Sequence, residues 1–203
     1  MRWQRVNRED SIKVVQSVIA SGVAAGMFSV TTSEVQMAEL PFYETTNLYQ
    51  VTNYASLPSF SFSYLGNGVH FHQLDGTDTS IYTINDRGML SLNERTVVDY
   101  LEFFFQHVLP DGEETFLVKD AYDMPQLASM DKQSRDSIIR SHKPAEVSYD
   151  AGFDKYTVDA DLYAEGLLMR ATIEVTGNGR VTILNRKMIV NAIAQSAVSG
   201  IMA

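Results

Sequence analysis

Alternation of apolar and other residues in the last third of the chain constrains the fold more than any other feature. From Tyr156 to Ile183 apolar side chains recur at every second position, interrupted by turn-forming segments at Glu165-Gly166 and TGNGR. Because alternate side chains of a strand lie on the same face, this predicts a meander of three antiparallel strands with one buried face. The predicted partners are Leu162 with Met169, Ala160 with Ala171, Val158 with Ile173, Val175 with Val181 and Ile173 with Ile183.

A second alternating segment, SFSFSYL, precedes Asn67-Gly68, the dipeptide most typical of a two-residue hairpin turn. A two-residue loop pairs Tyr64 with Phe71, and a four-residue loop shifts the partners but keeps every side chain on the same face. The core face is predicted to hold Phe60, Phe62, Tyr64 and Phe71, and the opposite face Ser61, Ser63, His70 and His72.

The segment SLNERTVVDYLEFFFQHVLP has the clearest helical pattern. Ser91 and Glu94 fit a capping box, and Pro110 ends the helix. TFLVK and SIYTIN read as short strands, and DKQSRDSIIRSH reads as a polar helix. The sequence therefore predicts an α+β fold, a curved antiparallel sheet with helices packed on one face. The predicted apolar stripe of the central helix is Val97, Leu101, Phe104, Phe105 and Val108.

The amino-terminal segment has several interpretations. Asn7 is a plausible N-cap, and the run from Val14 to Val30 is apolar on all sides. Such a run suits a buried helix, the apolar region of a signal peptide or a short membrane span, and Gly22 and Gly26 have the spacing that lets helices approach closely. We expect residues 1–38 to form an apolar helix and linker outside a single α+β domain of residues 39–203. That helix is expected to contact a protein partner, a second copy or a membrane.

The composition argues against several classes of function. The formal net charge is −9, and a surface that repels phosphate backbones argues against nucleic acid as a partner. The chain has no cysteine, so disulfides, thiolate metal sites and thiol catalysis are excluded. Phosphate-binding loops, Ser–His–Asp signatures and dinucleotide fingerprints are absent from the sequence. The missing cysteines name no compartment, and a cytoplasmic location is favoured slightly over a membrane-associated one.

His70 and His72 form the most metal-like pattern. Residues two apart on a strand project to the same side, so both imidazoles could reach one divalent metal ion. Asp75 and Asp78 follow closely and are candidates for a further ligand. The alternative is a pair of histidines on a half-solvated sheet face.

A second polar group lies on the predicted meander. Asp159 and Asp161 share one strand face, with Arg170 and Glu174 across the hairpin. Paired carboxylates could do acid–base work or hold magnesium. The simpler interpretation is a solvent-facing sheet surface with one cross-strand ion pair between Asp161 and Arg170, which contributes about 1 kcal/mol or less.

Four segments, LPFYETTNLYQV, FHQLDGTDTSIYTIND, VVDYLEFFFQHV and LYAEGLLMRATIEV, resemble a bacterial family of standalone proteins without an assigned activity. The resemblance covers roughly residues 40–190, implies a single domain and carries over no functional residue. The sequence thus favours a non-catalytic binding or assembly module. The alternative is a metal-dependent enzyme or sensor that uses the face of His70 and His72.

Overall fold

The first part of the chain builds a five-stranded antiparallel sheet, here called sheet 1. The computed structural model describes residues 1–22 and 26–191. Each strand of sheet 1 pairs with the next one along the chain, in the order β1-β2-β3-β4-β5. The strands are β1 (Trp3–Arg5), β2 (Ser33–Glu39), β3 (Asn47–Asn53), β4 (Phe60–Gly66) and β5 (Phe71–Gln73).

One face of sheet 1 is covered by helix α1 (Arg8–Ala20). The predicted N-cap is confirmed, because the Asn7 side chain accepts a hydrogen bond from the Asp10 amide at 3.0 Å. The predicted core face is also confirmed, with Phe60 and Phe62 packed against its buried residues. The buried core of this face is formed by Val14, Val15, Val18, Phe28, Val35, Tyr49, Val51, Tyr64 and Phe71.

The amino-terminal segment differs from the expectation in two ways. Helix α1 ends at Ala20, followed by Gly22 with a φ of 82°, so Gly22 and Gly26 do not form a helical close-approach face. The expected linker forms strand β2, which pairs with β1 on one side and β3 on the other. Strand β3 pairs with all seven residues of β2 and β1 with residues 36–38, and this backbone pairing stabilises a strand that has few apolar residues. No helix among the described residues has both the length and the apolar character needed to cross a membrane.

The segment SIYTIN, expected to be a strand, is instead helix α2 (Thr79–Ile84), which continues into a π-helical turn at Asn85–Met89. The Tyr82 amide bonds the Asp78 carbonyl at 2.9 Å, which closes the first helical turn. Ile81 and Ile84 are both buried. Their spacing of three places both side chains on one side of a helix, whereas on a strand they would point to opposite faces. The segment has only six residues, which is too short for this period to stand out in the sequence.

The second part of the chain builds another antiparallel sheet, sheet 2, in the order β10-β9-β8-β6. Strand β7 pairs with the same edge of β8 as β6 does, so this edge carries two partners in succession. All five predicted pairings of the meander are confirmed. The strands are β6 (Phe116–Val118), β7 (Glu146–Asp150), β8 (Lys155–Ala164), β9 (Leu167–Thr176) and β10 (Val181–Asn191).

Helix α3 (Thr96–His107), together with Val108 at its end, carries the predicted apolar stripe, and all five residues of the stripe are buried. It lies against sheet 2, where the Tyr100 hydroxyl donates to the Gly179 carbonyl at 2.6 Å. The cap is not the predicted pair: Asn93 accepts from the Thr96 amide at 3.1 Å, in place of Ser91. The polar helix is also present, as α4 (Lys132–Ser141). The α+β fold class is therefore confirmed.

Two compact units make up the chain, Met1–Ser91 and Leu92–Ala203. We call them unit 1 and unit 2. The division falls after Ser91, whereas the sequence suggested a boundary after residue 38. Helix α1 and the segment predicted as a linker belong to unit 1 together with β3, β4 and β5.

Candidate functional site

The predicted histidine pair lies at the β4–β5 turn of unit 1. The loop has four residues, so Tyr64 pairs with Gln73 and Gly66 with Phe71. His72 pairs with Leu65 and therefore lies on the serine-bearing face, as predicted. His70 precedes β5 and lies in the loop. The prediction that it lies on the serine-bearing face of the sheet is therefore wrong.

His70 and His72 nevertheless line one small cleft together with Arg87. An Arg87 Nη1 lies 3.2 Å from His72 Nε2. A guanidinium can only donate, so Nε2 must be the acceptor of a neutral imidazole. Partial burial, followed by the positive Arg87 and then His70, lowers the pKa of His72. The cleft measures about 30 Å³, which is space for a water molecule rather than a substrate.

The two aspartates are not brought to these imidazoles. The Asp75 carboxylate accepts from both the hydroxyl and the amide of Thr77, at 2.7 and 3.0 Å, and these bonds lower its pKa. Asp78 stands before α2 and makes no capping bond with its side chain. Within residues 1–22 and 26–191 no group of three or more His, Asp or Glu side chains is arranged to hold a metal ion. A third ligand for the histidine pair is therefore missing from the described residues.

The polar residues predicted on the meander include the expected pair of Asp161 and Arg170, but this pair does not face solvent. Asp161 is fully buried, and its carboxylate accepts from Arg170 Nη1 at 3.2 Å across the hairpin. The other carboxylate oxygen lies 2.9 Å from His142 Nδ1 and accepts from the Lys143 amide at 2.8 Å. Arg170 also donates to the Lys143 and Pro144 carbonyls. The expected exposed ion pair is thus a buried network that fastens the end of α4 to sheet 2.

Asp161 lies where β8 changes partners, which explains the burial. Residues 155–159 of β8 pair with β7, and residues 161–163 pair with β6. The chain segment 142–144 crosses at this junction and brings His142 to the carboxylate. The other two predicted residues stay outside the network: Asp159 accepts from the Thr172 hydroxyl, and Glu174 pairs with Lys155 at 2.7 Å. The sequence places His142 on a helix without a partner, because nothing in the local pattern links it to a strand residue.

A further candidate is the outer edge of sheet 2, which the sequence patterns did not single out. Strand β10 has 11 residues, and in the described part of the chain it pairs only with β9. Register shifts at two points leave Leu184 and Ile189 outside the regular pairing. Leu184, Met188 and Ile189 are 56%, 59% and 38% exposed. Exposed apolar side chains along a sheet edge are unusual in a monomeric protein and often mark a contact surface.

The charge of this edge is opposite to that of the whole chain. Arg186 and Lys187 are exposed between the apolar residues of β10. No acidic residue follows Glu174, whereas the complete chain carries a net charge of −9. This absence of Asp and Glu was the signal in the sequence that would have identified the edge. We call the exposed side chains of Leu184, Arg186, Lys187, Met188 and Ile189 the basic edge.

These features define a protein with a buried structural ion network, a histidine cleft too small for a substrate and an exposed basic edge. No protein-family model, curated protein or solved structure matches the chain. The resemblance of residues 40–190 to a bacterial family stays a prediction.

Proposed function

We propose that the chain is a non-catalytic binding or assembly module, and that it binds an extended acidic segment of a protein partner along β10. The observation that carries this proposal is the basic edge itself, an 11-residue edge strand with three exposed apolar side chains and two exposed cations. A peptide that adds as a further strand gains main-chain hydrogen bonds, and side-chain contacts supply specificity. We place the partner contact at β10 and not at α1, where the sequence suggested it. Val14, Val15 and Val18 of α1 are buried within unit 1 and cannot contact a partner.

Charge selects the class of partner. An acidic strand would neutralise Arg186 and Lys187, and the pairing would be favoured by complementary potentials. A second copy of β10 placed antiparallel and centred on this pair would set Arg186 opposite Lys187. Like charges directly opposite each other in a sheet are destabilising. The same two cations therefore favour an acidic partner and oppose pairing between two copies of this edge.

The experiment is a calorimetric titration of the intact chain with alternating Val-Asp peptides of about ten residues, a length matched to β10. We expect binding that weakens as salt is added. Binding should fall about tenfold or more in the double variant Arg186→Glu, Lys187→Glu. The matched control is Lys132→Glu, Arg135→Glu, which makes the same charge change at two exposed positions of α4 and should bind as the unaltered chain does.

Two further probes distinguish edge pairing from attraction by charge alone and from membrane binding. A Val-Asp peptide N-methylated at alternate amides cannot form the main-chain ladder and should not bind. Equal binding of the methylated peptide, or of a Val-Lys peptide, would show that the edge does not pair with acidic strands. Tighter binding to anionic phospholipid vesicles than to the peptide would assign the edge to a membrane surface instead.

A further inference from the structure

Unit 1 contains a second concave site, which shares no lining residue with the histidine cleft. It is a half-open cleft of about 380 Å³ between the start of α1, strands β1 to β3 and the β4–β5 turn. Val14, Met37 and the ring of Tyr49 supply apolar wall, and Asp10, Lys13 and Gly68 also line it. This volume falls in the range of small-molecule sites, which are mostly apolar with a few placed polar groups.

The polar group that points to a ligand is the Tyr49 hydroxyl. Tyr49 is only 6% exposed, and its ring contacts Phe71 edge-on with centroids 5.1 Å apart. Its hydroxyl makes no hydrogen bond to another described residue. A Cβ placed on Gly68 would lie 4.0 Å from this oxygen, so the hydroxyl stands beside Gly68, which lines the same cleft. Unlike the Tyr64 hydroxyl, this oxygen is not sealed from solvent, so it is available to a molecule in the cleft.

Two neighbouring side chains on the same sheet face also carry an oxygen without a hydrogen-bond partner among the described residues. Tyr64 pairs with Tyr49 across β3 and β4, and Gln73 pairs with Tyr64 across β4 and β5. The Tyr64 hydroxyl and the Gln73 Oε1 are buried without a hydrogen-bond partner among the described residues. Burial raises the pKa of Tyr64 to about 12, so this phenol is neutral. The accessible Tyr49 hydroxyl and these two buried, unsatisfied oxygens thus belong to one row of residues across this face of the sheet.

The rim of the cleft restricts the charge of a ligand. Lys13 Nζ lies 3.0 Å from Asp10 and 3.2 Å from Glu9, and Arg5 is paired with Glu34. Both cations are therefore neutralised within the chain. The start of α1 is also occupied, because Asn7 caps it. A charged ligand would lose hydration without gaining an unpaired counter-charge.

We propose that this cleft binds a small uncharged amphipathic molecule, an aromatic or aliphatic alcohol, ketone or amide. Its apolar body lies against Val14 and Met37, and its oxygen forms a hydrogen bond with the Tyr49 hydroxyl. The cleft and the basic edge have no residue in common.

The test is an NMR titration of the intact chain with benzyl alcohol, followed at the methyl groups of Val14 and Met37. We expect saturable shifts at these methyls, and weaker binding by about three- to tenfold in Tyr49→Phe, which lacks only the hydroxyl. The control Tyr54→Phe alters a tyrosine that is 59% exposed and should bind as the unaltered chain does. The free Tyr49→Phe protein should unfold at about the same temperature, because the lost hydroxyl has no hydrogen-bond partner among the described residues.

Three ligand comparisons make the result independent of the variants. Toluene, without the oxygen, should bind the unaltered chain about as weakly as benzyl alcohol binds Tyr49→Phe. Benzoate and benzylammonium should bind more weakly than benzyl alcohol. Shifts confined to other residues, equal affinity in Tyr49→Phe, or benzoate binding as tightly as benzyl alcohol would each overturn the proposal. The Arg186→Glu, Lys187→Glu variant should bind benzyl alcohol normally, which separates this site from the proposed function.

Discussion

At the scale of single residues, Asp161 is the most consequential side chain of unit 2. A buried carboxylate is stable only when its partners compensate for lost hydration, and here these are Arg170, His142 and the Lys143 amide. Asp161→Asn keeps the shape but leaves Arg170 without its buried counter-charge. We expect a loss of about 3 kcal/mol in the free energy of unfolding, measured by urea denaturation.

The matched control for this prediction is Asp159→Asn, on the same face of β8. Asp159 is half-buried and accepts one bond from Thr172, so its replacement should cost about 1 kcal/mol or less. Equal losses at the two positions would mean that the buried network contributes no more than an ordinary surface contact. The double variant Asp161→Asn, Arg170→Met should cost less than the sum of the two single changes, since neither buried charge is then left alone.

His107 gives unit 2 a dependence on pH. Burial lowers the pKa of this imidazole to about 4, and its ring packs on Phe103 with centroids 4.9 Å apart. The unfolded chain protonates His107 near its ordinary pKa of about 6.5, so between these values the unfolded state binds more protons. Stability should therefore fall as the pH is lowered from about 7 to about 5, by about 2 kcal/mol from this group. His107→Gln should remove that part of the slope in denaturation curves, and an unchanged slope would contradict the assignment.

At the scale of elements, α3 buries four aromatic side chains in unit 2, namely Tyr100, Phe103, Phe104 and Phe105. Phe104 and Phe105 are 5% and 3% exposed, and their packing on the stripe of Val158, Ala171 and Ile173 stays a prediction. Replacing either phenylalanine by alanine should cost about 3–5 kcal/mol in a denaturant titration, as for a fully buried ring. Phe153→Ala, at a ring that is 77% exposed, should change stability by less than about 0.5 kcal/mol. A loss below about 1 kcal/mol at Phe104 would show that its ring lies outside the core.

At the scale of the whole molecule, the amino-terminal segment belongs to the fold of unit 1. Deleting residues 1–38 removes α1, β1 and nearly all of β2, so β3 loses a neighbour and Tyr49 and Val51 lose their cover. We expect the amides of 47–73 to lose protection in hydrogen exchange, because an uncovered three-stranded remnant is only marginally stable. If these amides kept their protection, α1 would not be needed for the fold of unit 1 and would instead be a separate attachment helix.

The sequence predicted sheet 2 better than sheet 1, and the reason is physical. In the meander, short turns and alternation act together, so a shift of one residue would bury Asp159 and Glu174. Strand β2 lacked such a turn, and its pairing with β1 joins residues 33 positions apart, as in Gln4 with Met37. The buried state of Asp161 could not be predicted, because His142 and the Lys143 amide reach it from another element. The basic edge could not be predicted either, because the sequence does not give the strand order that places β10 at the end of sheet 2.

The order of elements along the chain also determines how long α3 waits for its sheet while the protein is being synthesised. Helix α3 ends at His107, whereas β8 begins at Lys155, and the Gly179 carbonyl that Tyr100 bonds is made later still. At about 5–20 residues per second, the 48 residues from His107 to Lys155 take roughly 2 to 10 s to emerge. Throughout that interval the aromatic stripe of α3 has no sheet to cover it. A chain released within this stretch would carry the aromatic stripe of α3 without sheet 2, and exposed apolar surface of this kind favours aggregation.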